Sequence, residues 1–332
     1  MSGRHAGIPM QPTGGAIGRR ASGFAASLGI WLALLALIVV ATLVSPDFLT
    51  PTNLLNIVRQ ASVVGIAAVG VTLVMITGGV DLSVGAVISF AAPLAATIMA
   101  GDDASIPIAI AAVLAMGLAV GIANGTIIAR LNVPPFILTL GTAAVVVGIT
   151  QLYTGGAAAG VVAPGFRSIF NARIGPVSVL AIVFLMVVLA GLVIQRRMTL
   201  GRRIYLVGAN PNAAFISGVP VNRTLVTVYA ISGFTAALGG LALLARSGVS
   251  SNFAGQGYEF DVLAAVVLGG TTFVGGRGGI GGTVAGVLIL VASFNLVNIL
   301  GLNFNIQAVV KGVIIVAAAA LYALSTRREE TA

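Results

Sequence analysis

Val177-Ser178-Val179-Leu180-Ala181-Ile182-Val183-Phe184-Leu185-Met186-Val187-Val188-Leu189-Ala190-Gly191-Leu192-Val193-Ile194 and the segment after it, Gln195-Arg196-Arg197-Met198-Thr199-Leu200-Gly201-Arg202-Arg203-Ile204-Tyr205-Leu206-Val207-Gly208-Ala209-Asn210-Pro211-Asn212-Ala213-Ala214-Phe215-Ile216-Ser217-Gly218-Val219, decide the fold. The first stretch is uncharged and close to the roughly 20 residues that a helix needs to cross hydrocarbon. The second holds four arginines between positions 196 and 203 and is the longest interval too polar to cross. An apolar run stopped by arginines is a membrane helix ending at the cytoplasmic face. A membrane protein that keeps one sizeable polar segment on that face keeps it to touch something.

The rest of the chain repeats the first stretch rather than the second. Of 332 residues, 58% are hydrophobic and 8% charged, and the mean hydropathy is +1.11. A soluble chain has about a quarter of its residues charged, so this one is solvated by lipid, and no polar interval is long enough for a soluble domain. Forty-four glycines fit helices that approach closely in a bilayer. The net charge of +9 is spread over span ends with no basic, aromatic-laced face, which excludes nucleic acid as a partner. Without cysteine there is no disulfide, thiolate catalysis or iron–sulfur cluster. His5, the lone histidine, is too few ligands for a metal site.

The pattern predicts an all-α polytopic membrane protein of about ten spans with both termini cytoplasmic. Residues 1–22 read as a disordered tail, 23–325 as the membrane domain with its polar segment at 196–223, and 326–332 as a cytoplasmic tail. The expected spans are Phe24–Val44, Ala61–Thr77 (after an amphipathic segment from Leu54 to Gln60), Asp81–Ala100, Ile106–Ala129, Pro135–Tyr153, Val177–Ile194, Leu225–Ala245, Phe260–Phe273, Gly281–Leu300 and Ile306–Leu324. The eighth is short enough to be re-entrant or broken. An apolar patch at Val161–Ile169 is expected to dip into the interface. In this orientation Arg4, Arg19, Arg20, Arg130, Arg196, Arg197, Arg202, Arg203, Arg223, Arg277, Arg327 and Arg328 lie inside, against Arg59, Arg167, Arg173 and Arg246 outside, as the positive-inside rule requires. Asp47, Asp102, Asp103, Glu259 and Asp261 fall on the outer side.

Few polar groups interrupt the apolar runs. Asp81 sits in Gly78-Gly79-Val80-Asp81-Leu82-Ser83-Val84-Gly85, where it either caps the third span or takes part in gating or translocation. Gly117, Gly121 and Gly125, like Gly278, Gly282 and Gly286, form four-residue ridges for close helix packing. Asn124, Gln151, Asn295, Asn298 and Lys311 either line a path or bond across helices. Gly275-Gly276-Arg277-Gly278-Gly279 lacks the lysine and hydroxyl ending of a phosphate-binding loop and reads as a flexible turn. The chain has no nucleotide site of its own.

Four of these stretches carry a resemblance. Gly78–Ala86, Asn132–Thr142, Gly208–Gly218 and Leu268–Thr272 resemble, in order, segments of the permease subunits of ribose-type ABC sugar importers, and the likeness runs from about residue 25 to 325. The resemblance implies an inner-membrane permease that pairs with a second copy and binds a cytoplasmic ATPase. It also implies a periplasmic sugar-binding protein on the other face. No cofactor is implied for the chain itself, since ATP and magnesium are used by the partner, and no catalysis is expected of it. The coupling helix implied by the match comprises Gly208, Asn210, Pro211, Ala213, Ala214, Phe215, Ser217 and Gly218. Independently of the match, Asn210 or Asn212 can cap a short helix with Pro211 in its first turn, and Gly218 with Pro220 can end it.

A sugar path is expected around Asp81, Asn124, Phe136, Thr139 and Asn298. The loops at Asp102-Asp103 and at Glu259 and Asp261, with Arg246, are candidate seats for the binding protein. An ion-coupled secondary transporter is the alternative, and branched-chain amino-acid permeases are a more distant look-alike.

Overall fold

The computed structural model describes the backbone over residues 15–302 and at scattered positions from 306 to 316, with side chains from residue 29. Residues 1–14, most of the expected tenth span with Lys311, and the 326–332 tail lie outside the described residues. The order is α1 (Gly15–Val44), α2 (Pro51–Ile76), α3 (Val84–Met99), α4 (Ile106–Leu131), α5 (Pro135–Thr154), α6 (Pro164–Asn171), the two-residue strands β1 (Arg173–Ile174) and β2 (Val177–Ser178), α7 (Val179–Arg197), α8 (Thr199–Ala209), α9 (Pro211–Ile216), α10 (Val221–Ser247), α11 (Tyr258–Leu268) and α12 (Ile280–Ile299). β1 and β2 pair antiparallel just before α7.

Six of these helices are long and apolar enough to cross a membrane: α2, α4, α5, α7, α10 and α12. Burial sorts them into layers. The apolar windows of α2 and α10 are each 83% buried, against 28%, 17% and 22% for those of α4, α5 and α7. Thus α2 and α10 form the centre, with α10 packed most extensively on α4 and then on α2 and α3. The α4–α10 contact rests on the first glycine ridge. A Cβ at Gly117 would meet the Gly233 carbonyl, one at Gly121 the Tyr229 carbonyl, and one at Gly125 would stand 2.7 Å from Val226 Cα. Backbone therefore lies on backbone, and α4 and α10 run antiparallel. Gly282 and Gly286 do the same for α12 against Gly269 and Ala265 of the α11 segment.

Several expected boundaries move. α1 begins at Gly15, so part of the expected tail is helical, including Arg19 and Arg20; no proline interrupts the stretch, and Ala16, Arg19, Arg20 and Ala21 are helix formers that offset Gly18 and Gly23. The separate segment at Leu54–Gln60 is instead the start of α2. Thr50 accepts the Asn53 amide at 3.4 Å and Pro51 occupies the first turn, and nothing interrupts the 26 residues that follow. Of the patch at Val161–Ile169, the part from Pro164 folds into α6, which buries Phe166 fully, while Val161 pairs its backbone with Ala96 and Gly101.

Two spans are short for a physical reason. α3 has 16 residues and α11 has 11, so at 1.5 Å per residue they reach only ~24 and ~16 Å of a ~30 Å hydrocarbon layer. A non-helical segment at 78–83 precedes α3, and a folded-back loop at 248–257 precedes α11.

One end of the bundle collects Arg130, Arg196, Arg197, Arg202, Arg203, Arg223 and Arg277, at the helix ends and turns of α4, α7, α8, α10 and the α11–α12 connection. Asp47, Asp102 and Asp103 lie at the other.

Candidate functional site

The broken spans meet in the middle of the helix layer. Asp81 is 1% exposed, and its Oδ2 accepts Ser232 Oγ at 2.7 Å. Ser232 is the twelfth residue of α10's 27, which sets the depth near mid-helix. Asp81 Oδ1 accepts the Ser83 amide at 3.1 Å and the Ser83 hydroxyl. Asn124 Nδ2 donates to Ser83 Oγ at 3.1 Å, and Thr142 Oγ1 to Asn124 Oδ1 at 2.7 Å. The non-helical segment is fastened by the same group: Leu82 N donates to Thr139 Oγ1 at 3.1 Å and Tyr229 OH to the Val80 carbonyl at 3.2 Å. Non-helical backbone at such depth is tolerated only where its polar groups are paired. Ser83 is the N-cap residue of α3 and its side chain makes no capping bond. Asp81, two residues earlier, therefore does not cap α3; it holds the turn before the cap.

Beside this network lies a cavity of about 250 Å³. α3 supplies Gly85, Ala86 and Ser89, α5 supplies Leu140, Ala143 and Val147, and the 248–257 loop with the first turn of α11 supplies Asn252, Phe253, Gln256, Glu259 and Phe260; Leu82 completes the wall. The loop reaches this depth because Gly255 packs against the Gly85 carbonyl and Ser89, with Gly255 N donating to Ser89 Oγ at 3.0 Å. Its upper part is tied to α5 through Asn252 Nδ2, which donates to Gln151 Oε1 at 3.1 Å and Thr154 Oγ1 at 2.7 Å. Phe253, Phe260 and Leu140 are each about half exposed, so the cavity opens onto the flank of the bundle.

Glu259 and Asp261 thus leave the outer surface where the sequence put them. Glu259 lines the cavity, and Asp261 is 8% exposed within α11. The cause is the fold-back of the loop, which carries the start of α11 into the helix layer. Asp102 and Asp103 do remain at the bundle end, where Asp103 Oδ1 accepts Gly165 N at 2.7 Å.

At the basic end, α8 and α9 form the expected polar segment. Asn210 is the N-cap of α9 and accepts the Ala213 amide at 3.0 Å, with Pro211 in the first turn. Gly218 ends it at φ +79°, while Ser217 N and Val219 N bond back to Ala213 and Ala214. Ala214 is buried, whereas Phe215 and Ile216 are 73% and 85% exposed. Large apolar side chains this exposed at a charged end are unusual; Leu131 and Val274 share that end, at 68% and 75% exposure. Behind α9, Gly208 sits against the Ile76 carbonyl and the Gly276 amide, and Gly276 N donates to Ile76 O at 2.8 Å. Tyr205 OH donates to Gly278 O at 2.7 Å and accepts from Gln195 Nε2, while Gln195 Oε1 accepts Ile280 N at 3.1 Å. Burial pushes the Tyr205 phenol above its ordinary value of 10, so it stays a donor. The glycine run at 275–279, expected to be a flexible turn, is a fixed joint with Gly275, Gly276 and Gly278 at φ +87°, +70° and +114°.

Of the five residues expected along the path, Asp81, Asn124 and Thr139 share one buried network, Phe136 faces outward at 56% exposure, and Asn298 is exposed near the end of α12. None of the five lines the cavity. Sequence reasoning missed Asn252 and Gln256 and put Glu259 on the outer surface; the glycines of that interval, Gly255 and Gly257, were the available signal.

Residues 53–319 match the family model described as the branched-chain amino acid transport system / permease component. The ribose import permease protein RbsC of Escherichia coli strain K12 is 41% identical over 300 residues, covering 86% of this chain and 90% of that one. Its Bacillus subtilis counterpart is 38% identical over 297 residues (89% and 92%). The galactose/methyl galactoside import permease protein MglC of Escherichia coli strain K12 is 37% identical over 323 residues (91% and 95%). No solved structure matches the chain.

Proposed function

This chain belongs to the family of branched-chain amino acid transport system permease components, and we propose that within it the chain is the inner-membrane permease of an ATP-driven importer of a monosaccharide or small polyol. The near-full-length similarity to ribose and galactose import permeases supports a sugar rather than an amino acid as cargo. In this reading the basic end is cytoplasmic, two copies form the path, a periplasmic binding protein delivers the solute, and an ATPase using ATP and magnesium docks on Gly208–Gly218. The single observation that carries the docking is the uncovered Phe215–Ile216 pair on α9. Asn210, Pro211 and Gly218 set the ends of that helix, Ala213 and Ser217 share its exposed surface, and buried Ala214 seats it.

ATP-driven closure of the motor pulls on α9, and the bundle alternates between outward and inward exposure. Asp81, Asn124 and Thr139 keep the broken span in shape beside the path. Phe136 and Asn298, exposed on this chain, are placed to meet solute or the second copy.

The ion-coupled alternative gains one observation, because Glu259 and Asp261 join Asp81 within the helix layer. Against it, the Asp81 oxygens are already engaged by Ser83 and Ser232, and a relay needs carboxylates free to exchange protons. Proteoliposomes holding the permease, its ATPase and a loaded binding protein test the choice. Ala213→Glu with Phe215→Glu should abolish ATPase co-purification and stimulated hydrolysis. Solute uptake without any ATPase, unchanged in that variant, would establish the secondary transporter instead.

A further inference from the structure

The cavity between α3, α5 and the 248–257 loop carries an inference that rests on the sugar-permease reading and deepens it. We propose that the cavity is a subsite for one neutral polyhydroxylated solute, bound through hydroxyl donors to Asn252 and Glu259, and that it turns away the corresponding sugar acids.

Asn252 is the strongest sign. It is 6% exposed, and its Nδ2 faces Gln151 Oε1, Thr154 Oγ1 and the Ala157 carbonyl at 3.1 Å. A carbonyl can only accept, so the amide nitrogen is the atom on that side and the orientation is fixed. Oδ1 then points the other way, buried and with no protein donor. Buried acceptors are nearly always paired, and an unpaired one on a residue of the cavity wall is the group that a bound solute's hydroxyl would satisfy.

Glu259 makes the same demand. Its Oε2 accepts Gly257 N at 3.0 Å, its one hydrogen bond among the described residues, so the carboxylate keeps acceptor capacity for a hydroxyl. Gly85 secures that position, since a Cβ there would strike the Glu259 carboxylate and stand 3.0 Å from the Gly255 carbonyl. Ser89 Oγ, already accepting from Gly255 N, has its own hydrogen to give, and the Gln256 amide offers both functions. Phe253 and Phe260 present apolar faces of the kind that cover the C–H side of a sugar ring. A volume of about 250 Å³ falls just under the ~300–1,000 Å³ of drug-sized pockets and suits one ring.

Charge narrows the class. Glu259 is the sole charged residue in the wall, and no lysine or arginine accompanies it. A sugar acid would bring a second carboxylate with no countercharge. An amino acid would place its ammonium well and leave its carboxylate without a basic side chain.

The natural chain has no cysteine, so Leu140→Cys puts a single thiol on the cavity wall in the full-length permease. In nanodiscs, its reaction with a neutral maleimide would be timed at equal osmolality with D-ribose, D-galactose, myo-inositol, D-galacturonate or L-leucine. At least one neutral polyol should slow labelling threefold or more, while galacturonate and leucine leave it within twofold of the solute-free rate. Asn252→Leu should abolish the protection. Glu259→Gln, which keeps an acceptor for Gly257 N, should let galacturonate protect as well, and it guards against misfolding of the Asn252 variant. An unreactive thiol, no protection by any polyol, protection by leucine, or galacturonate still excluded from Glu259→Gln would each overturn the proposal. No ATPase takes part, so failure here is separate from failure of the docking experiment.

Discussion

Replacing Gly208 with alanine should loosen the joint behind α9 although alanine is the better helix former. Gly208 lies inside α8, where the substitution gains about 1 kcal/mol of helix propensity. The added methyl, however, would overlap the Ile76 carbonyl and come 2.5 Å from the Gly276 amide, two atoms that are bonded to each other at 2.8 Å. All the neighbours are backbone, so none can turn aside. Parting them leaves the helix-end carbonyl of Ile76 and the half-buried Gly276 amide unpaired, at about 1–3 kcal/mol, with overpacking strain of about 1–3 kcal/mol. The loss outweighs the gain by roughly 3 kcal/mol, or on the order of a 100-fold rise in local opening at about 1.4 kcal/mol per decade. Hydrogen exchange followed by mass spectrometry on peptides spanning 270–280 reads that opening directly. The same variant, reconstituted with the ATPase, should keep docking through Phe215 and lose most binding-protein stimulation. Protection within twofold of wild type, together with full stimulation, would refute the reasoning.

Three further outcomes test other parts of the fold. Asn53 and Asn295 exchange side-chain amide bonds at 2.9 and 2.8 Å, so Asn295→Leu should destabilise by about 1–3 kcal/mol; in thermal unfolding the double change with Asn53→Leu should cost less than the two single changes added together. Gly121→Ala should lower the unfolding temperature by several degrees, because its Cβ meets the Tyr229 carbonyl, whereas Gly141→Ala, with nothing within 4 Å, should leave it unchanged or slightly raised. Tyr205→Phe should weaken the α8 joint at every pH up to 9, read by exchange at Gly278–Ile280. In wild type, the raised phenol pKa means that its contribution is intact below about 10, the unfolded value, and is lost as pH rises through the folded one.

What the sequence disclosed and what it hid follow from the range of the interactions concerned. The α4 ridge was legible because three glycines four residues apart describe one helix face, and a helix face with no side chains has only close packing to offer. α9 was legible for a similar reason: Asn210, Pro211 and Gly218 are local devices that act within one turn. The break before α3 was visible in Gly78-Gly79, although the role of Asp81 was not, since its partner Ser232 is 151 residues away. Glu259 was misplaced because its position depends on contacts of the loop with Ser89 and Gln151, 166 and 101 residues distant. Nothing within the loop distinguishes a turn in water from one folded into the helix layer. Phe136 and Asn298 were chosen by residue type alone, and type does not give direction.

The two regions of interest are physically continuous. Gly208, three residues before α9, touches Ile76 at the last residue of α2; Gly78 follows at φ +82° and its Cα faces the Val274 carbonyl; Asp81 is three residues on. The same Gly275–Gly278 joint leads into Thr271 and Gly269, at the C-terminal end of α11, whose first turn holds Glu259. On the docking reading proposed above, a displacement at α9 would pass to both broken spans through these backbone contacts, with no long flexible side chain in between to absorb it. Rigid transmission of this kind explains why glycine occupies nearly every contact on the route: with no Cβ, backbones touch directly, and little slack remains between them. It also locates the compliance, since the non-helical segments at 78–83 and 248–257 are where the helix ladder is interrupted. Those segments supply cavity walls, so on the docking reading proposed above a movement at α9 should alter the cavity more readily than it bends a complete span.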